Sequence, residues 1–187
     1  EVGVGLIPGA GGNLRLLVNL MDAMAARGRV NPYGAVQKAF ETIGFAKVST
    51  SAAEAKWLGY LRRDDTVVMN LDHVIDAARR KALELAEGYR PPAYRDDLHL
   101  PGVGARTAIE TVLHGMRIAG KISAHDERIG KALAHVLSGG ERAHTTRPVD
   151  EQYLLDLERE AFLSLAAEPL TQDRIRHMLK KGKPLRN

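Results

Sequence analysis

Apolar residues recur at helical spacing along most of the chain after its first dozen residues. Leucines and methionines follow Gly11 and Gly12 three or four residues apart, and Gly28 closes this first stretch. The same periodicity predicts further helices over residues 32–43, 51–57, 72–87, 103–120, 123–137, 149–162 and 171–181. Helices that each present one apolar face must bury it against one another or against a missing partner segment, so the pattern predicts a mainly α fold.

Few stretches depart from this helical pattern. Residues 66–69, Thr-Val-Val-Met, form the best candidate for a β-strand, although the stretch is short. Residues 88–102 contain Pro91-Pro92 and mixed charges, which predicts a loop-rich connector. We therefore expect residues 1–187 to form a portion of one domain with at most one or two short strands.

Two helix starts have recognisable local chemistry. Ser51 and Glu54 have the spacing of a capping box, in which each side chain bonds the backbone amide of the other residue. Gly11 and Gly12 lie at the start of the first helix, where free backbone amides favour negative charge nearby. No lysine follows as it would in a Walker loop, and the glycine spacing differs from the dinucleotide-binding fingerprint.

Composition narrows the possible functions. The chain has 27 Lys and Arg against 23 Asp and Glu, a net charge of +4, and no cysteine. The absence of cysteine excludes disulfides, cysteine-ligated metals and thiol nucleophiles, and it fits a cytoplasmic protein. No apolar run approaches the roughly 20 residues of a membrane span. The first residue is Glu rather than Met, so we expect a piece of a longer protein.

No metal site is expected. The seven histidines show no spacing typical of a metal-binding helix, and we expect them to be surface or capping residues: His73, His99, His114, His125, His135, His144 and His177.

Several stretches together resemble a known family. Residues 1–12 read EVGVGLIPGAGG, residues 37–43 read QKAFETI and residues 47–59 read KVSTSAAEAKWLG. Residues 149–165 read VDEQYLLDLEREAFLSL, and residues 180–184 read KKGKP. These stretches are similar to the latter half of the crotonase, or enoyl-CoA hydratase/isomerase, superfamily. They resemble in particular the hydratase module of bifunctional 3-hydroxyacyl-CoA dehydrogenase/enoyl-CoA hydratases of fatty acid β-oxidation.

The resemblance implies roles for three residues. Glu1 corresponds to the second catalytic carboxylate that adds water to an enoyl-CoA, while the first carboxylate and the oxyanion hole would lie upstream. The isolated chain is therefore expected to be inactive. Phe162 corresponds to an aromatic residue beside the CoA adenine, and Lys181 to a lysine near a CoA phosphate. Three alternatives stay open: Glu1 as a solvated terminal carboxylate, Phe162 as a core residue, and Lys181 as a solvated residue at a helix end.

The resemblance also implies cofactors and partners. NAD would serve a dehydrogenase domain upstream, and these residues would hold no cofactor. The expected partners are an acyl-CoA or enoyl-CoA thioester, the upstream half of the same domain, and further copies of the chain in a homo-oligomer.

Two alternatives come from other functional classes. Residues 102–107 look like the hairpin of a helix-hairpin-helix module, which with the basic C-terminal tail would bind nucleic acid. Pro91-Pro92 interrupts the helix that such a module needs before its hairpin, so we favour a simple start of a helix here. A third possibility is a scaffold that associates through exposed apolar helix faces.

Overall fold

The computed structural model describes residues 1–187 and confirms a mainly α fold. Its eight helices are α1 (Gly12–Ala25), α2 (Pro32–Gly44), α3 (Ala52–Leu58), α4 (Val74–Ala86), α5 (Val103–Ile118), α6 (Ala124–Ser138), α7 (Glu151–Ala166) and α8 (Pro169–Lys181). Two short 3-10 turns cover Val2–Val4 and Leu71–His73. The chain forms no β-sheet, and its β-pairing consists of two isolated bridges, Leu98 with Val149 and His144 with Arg147.

The strand predicted at residues 66–69 is wrong. These residues adopt no regular structure, and Met69 is 95% exposed. A strand needs a neighbour to pair its backbone donors and acceptors, and none lies beside this segment. The β-branched residues of the stretch therefore do not decide its conformation.

Helix α6 lies at the centre of the core. It contacts α5 along much of its length and also touches α1, α2 and α7. Leu133 and Ala134 of α6 are completely buried, as are Ala35, Val36 and Ala39 of α2. Burial of these apolar side chains is the main stabilising contribution to the fold.

The capping box is found at a different helix from the one predicted. At α3, Ser51 Oγ accepts a hydrogen bond from the Glu54 amide at 3.1 Å, but the Glu54 carboxylate bonds the amide and hydroxyl of Thr50 instead. The reciprocal pair is complete at α6, between Ser123 and Asp126. The prediction at Ser51 is thus half correct, because Thr50 offers two donors to the same carboxylate.

The connector at residues 88–102 is irregular, as predicted, but its second half is anchored by burial and by backbone hydrogen bonds. Leu98 and Leu100 are completely buried. Leu98 exchanges both backbone hydrogen bonds with Val149, at 3.1 and 3.0 Å. This pairing joins the segment before α5 to the residues that precede α7.

The N-terminal segment is fastened to α8 and α6. The Thr171 hydroxyl donates to the Gly5 carbonyl at 3.0 Å, so the ring of His125 must donate from Nε2 to the Thr171 oxygen at 2.9 Å. Gly5 has a φ of 91°, and a Cβ there would lie 2.7 Å from Thr171 Oγ1. Only glycine fits this close approach, which fixes the position of the turn that begins at Glu1.

Candidate functional site

The start of α1 is occupied by a carboxylate from the chain itself. Glu158 of α7 is 3% exposed and accepts hydrogen bonds from the Gly11 amide at 2.6 Å and from the Asn13 amide at 3.0 Å. The Asn13 side chain donates to the same carboxylate at 2.9 Å. The negative charge expected at this helix mouth is therefore supplied by Glu158, which satisfies the free amides.

Glu158 was missed at the level of sequence, although a signal for it existed. It lies among Leu154, Leu157 and Phe162 on the apolar side of α7. An acidic residue on the buried face of a helix needs a partner. The amides at Gly11 and Gly12 were the available donors, and pairing the two features would have predicted the contact.

A first cavity opens beside the turn at Pro8 and Gly9. We call it the polar cavity, and its volume is about 470 Å³. Its polar lining residues are Glu1, Arg15, Asn19, Thr42, Lys47 and Tyr60. Elements from three parts of the chain meet here: the N-terminal turn, helices α1 and α2, and the residues after α3.

The cationic side of the polar cavity is only weakly neutralised. Arg15 makes no ion pair, and Lys47 lies 3.7 Å from Glu41. The Tyr60 hydroxyl donates to the Lys47 carbonyl at 2.6 Å, and burial raises the pKa of Tyr60 above its usual value. Tyr60 therefore stays protonated as a donor, and the cavity offers two cations to an anionic ligand.

One buried hydroxyl in the polar cavity has no partner. Thr42 is 1% exposed, and its Oγ1 makes no hydrogen bond. A buried hydroxyl without a hydrogen-bond partner carries a cost in free energy.

A second cavity of about 500 Å³ adjoins the first, and we call it the apolar cavity. Its apolar lining residues include Phe40, Phe45, Leu113, Met116, Ile129 and Leu133. Val2 and Ala46 line both cavities, so these two residues lie between the two spaces. The second cavity has the larger share of hydrophobic lining residues.

The three residues proposed from the family resemblance lie at two different places. Glu1 is exposed and lines the polar cavity. The half-buried ring of Phe162 packs beside Gly9, since a Cβ placed on Gly9 would be 3.6 Å from it. Lys181 lies at the end of α8 in a separate shallow depression with Arg176 and His177. Gly9 lines the polar cavity together with Glu1, so Phe162 lies next to the cavity that Glu1 lines. Lys181 lies elsewhere, in the depression at the end of α8.

The suggested nucleic-acid hairpin is an ordinary start of a helix. The Gly102 amide donates to the Ser138 carbonyl at 3.0 Å, and a Cβ on Gly102 would overlap the carbonyl oxygen of Ala143. Arg106 is paired with Glu141 at 2.5 Å and bonds Nδ1 of His135 at 3.0 Å. The glycine is required for close packing and the arginine is neutralised, so nothing favours binding of a phosphate backbone.

No three His, Asp or Glu side chains of the chain are grouped as a metal site would require. None of the helices combines the length and the apolar character needed to cross a bilayer.

These features define a helical chain with two adjacent cavities, one that carries two cationic side chains beside Glu1 and one whose lining is mainly hydrophobic. A relative from Bacillus subtilis (strain 168), named a probable 3-hydroxyacyl-CoA dehydrogenase, is 46% identical over 188 residues. The match takes in 100% of this chain but 23% of the relative, so the chain spans about a quarter of that protein's length. No family model and no solved structure matches the chain.

The relative corrects the function predicted from the resemblance. Its name denotes a dehydrogenase, so the identification of an enoyl-CoA hydratase module of the crotonase superfamily is wrong, and hydration of enoyl-CoA with it. The nucleic-acid alternative gains no support either. Two of the motifs that suggested the crotonase superfamily have a local structural role. The glycine-rich stretch before α1 accommodates the Glu158 carboxylate, and Ser51 caps the short helix α3. Such devices recur in many helical proteins.

Proposed function

We propose that this chain is a helical part of an enzyme that oxidises 3-hydroxyacyl-CoA with NAD, and that its polar cavity binds the acyl-CoA thioester. The relative supports the reaction class, because it is 46% identical and is named for that activity. The observation that carries the binding role is the pair of cavities, in which a cationic polar cavity adjoins an apolar one at Val2 and Ala46. An acyl-CoA has the same division into an anionic part and an apolar part.

The cations of the polar cavity would bind the anionic part of CoA. Arg15 can pair with a phosphate in a bidentate manner, and Lys47 adds a mobile positive charge. We assign Phe162, next to the turn at Gly9, to the adenine or pantetheine portion of CoA. Lys181 would contact a phosphate only if the ligand reached the depression at the end of α8.

We assign to Glu1 the exchange of a proton with the bound substrate. It lies in the polar cavity, and a carboxylate within reach of a substrate hydroxyl can act as an acid or a base. This role requires no hydration step, so it is compatible with the dehydrogenase name of the relative.

Residues 1–187 do not fit NAD itself. A dinucleotide site places a pyrophosphate at a helix N-terminus that follows a β-strand. At α1 that position is filled by the Glu158 carboxylate, which would repel a pyrophosphate, and the chain has no sheet. The NAD used by the enzyme would therefore bind to residues other than these.

Isothermal titration of the full chain with 3-hydroxybutyryl-CoA tests this proposal. We expect saturable binding, weakened about fivefold to tenfold by Arg15→Gln or Lys47→Gln, since each removes one charge-assisted contact. Lys81→Gln is the matched control, because Lys81 is exposed on α4 and pairs only with Glu84. Absence of binding, or equal losses in all three variants, would contradict the proposal.

A further inference from the structure

Three helices that also form the core supply one wall of the apolar cavity. Phe40 comes from α2, Leu113 and Met116 from α5, and Ile129 and Leu133 from α6. These side chains offer a continuous hydrocarbon wall, which favours an apolar ligand over a charged one.

The charged groups at this cavity do not alter that preference. Asp126 and Arg174 face it and pair with each other at 2.7 Å, and Arg174 also donates to Oδ1 of Asn187 at 2.7 Å. Lys121 and Arg186 also line the cavity, and both are exposed. The wall formed by α2, α5 and α6 presents no unpaired charge to a ligand.

The junction of the two cavities sets the direction of a bound ligand. Val2 and Ala46 line both spaces, so a molecule held in the polar cavity would reach the apolar one past these two residues. We propose that the apolar cavity receives the acyl chain of the CoA thioester and determines the preferred chain length. This inference rests on the function proposed above, and it adds that the substrates are acyl-CoAs with chains long enough to fill the cavity.

Gly3 provides a way to shorten the cavity. It lines the apolar cavity, and a Cβ built on it meets no atom within 4 Å. Gly3→Leu can therefore occupy open space without displacing the backbone. Gly115 of α5 also has nothing within 4 Å of its Cβ position but lines neither cavity, so Gly115→Leu is the matched control.

The experiment measures the dissociation constants of butyryl-, hexanoyl-, octanoyl- and decanoyl-CoA for the full chain by titration calorimetry. Burial of each methylene should strengthen binding about fourfold until the cavity is full, after which the constant levels off. Gly3→Leu should level off at a shorter acyl chain than the natural chain does. Met116→Phe, which fills the same space from α5, should shift the limit in the same direction, so the test does not depend on one variant folding.

The outcomes separate the two proposals. If no acyl-CoA binds, the proposed function fails and this inference fails with it. If butyryl-CoA binds but longer chains bind equally well, the function stands and the apolar cavity does not hold the chain. The inference would also be overturned if Gly3→Leu and Met116→Phe left the increase of affinity with chain length unchanged. The same holds if Gly115→Leu altered this increase as much as they do.

Discussion

Helices α6 and α4 have similar lengths, 15 and 13 residues, and both carry an apolar and a polar side. Nine residues of α6 are buried, whereas α4 buries none. The difference comes from their surroundings, because α6 contacts α1, α2, α5 and α7, whereas the main contact of α4 is with the turn that precedes it. An amphipathic pattern thus specifies which side of a helix is apolar, but not whether anything covers that side.

The apolar side of α4 is left open to solvent. Ile75 is 81% exposed, Leu83 60% and Leu85 59%, and Leu71 just before the helix is 84% exposed. A helix of this length is marginal without tertiary contacts. We therefore expect α4 to contribute little to the free energy of unfolding, in contrast to α6.

The largest expected effect is on the core of α6. Leu133 is completely buried, so Leu133→Ala should lower the free energy of unfolding by about 3 kcal/mol through lost burial and a residual cavity. Leu83→Ala on α4 should change it by less than about 0.5 kcal/mol. Urea unfolding followed by circular dichroism measures both values. Equal losses in the two variants would show that α4 is packed in solution.

A second contrast concerns acidic residues. Glu158→Ala removes the acceptor for the amides of Gly11 and Asn13, which then stay buried and unpaired, so we expect a loss of about 2 kcal/mol. Glu84 on α4 pairs only with exposed Lys81 at 2.9 Å, and Glu84→Ala should change stability by less than about 0.5 kcal/mol.

Urea unfolding distinguishes these cases, and Glu160→Ala serves as a control on the exposed side of α7. Since Glu158→Gln keeps one acceptor oxygen, it should be milder than Glu158→Ala. A loss of the same size for Glu158→Ala and Glu160→Ala would mean that the helix start is satisfied in another way.

Periodicity predicted the helices well because it follows directly from which residues face the core. The leucines of α1 and the helix bounds near Gly28, Gly88 and Gly182 could be placed from local chemistry alone. Residues 66–69 could not, because a strand depends on a distant partner. Likewise, α6 is buried and α4 is exposed because of the elements that surround them. The residue pattern within one helix does not contain this information.

The candidate site was predictable only in part for the same reason. Glu1 could be singled out by its place in a motif, but Arg15, Lys47 and Tyr60 are ordinary surface residues in the sequence. They share a cavity only after the N-terminal turn, α1, α2 and the segment after α3 have packed. Glu158 meets Gly11 across 147 positions of sequence, a distance that no local motif spans.

A third prediction concerns how the pH dependence of stability differs between α6 and the turn before α4. Burial, and then the nearby charge of Arg174, lower the pKa of His125 below its usual 6.5 in the folded chain. The unfolded chain then binds more protons just below that pH. The free energy of unfolding should therefore have its full value above about pH 6.5 and decrease as the pH falls through the lowered pKa.

His125→Gln keeps a donor toward Thr171 but cannot titrate, so it should flatten this fall. His73 is exposed on the turn before α4, and His73→Gln is the control for replacing a histidine away from Thr171. Thermal unfolding at a series of pH values measures both slopes. The remaining slope in His125→Gln should include His135, whose pKa is lowered first by burial and then by Arg106. An unchanged slope in His125→Gln would contradict the assignment.

The smallest effect is expected where α2 ends, at the junction of the two cavities. Ala46 has a φ of 49°, and its amide and that of Lys47 donate to the Ile43 and Thr42 carbonyls at 2.9 Å each. This is the hydrogen-bond pattern of a Schellman motif, whose left-handed residue is usually glycine. Ala46→Gly should therefore raise the free energy of unfolding by about 0.5–1 kcal/mol, because relief of strain exceeds the added chain entropy. Ala119→Gly at the end of α5, where φ is −73°, is the control and should lower the free energy of unfolding slightly.

Because α2 belongs to the packed core, the increase for Ala46→Gly should appear in global urea unfolding. A decrease for Ala46→Gly would show that the left-handed turn does not persist in solution.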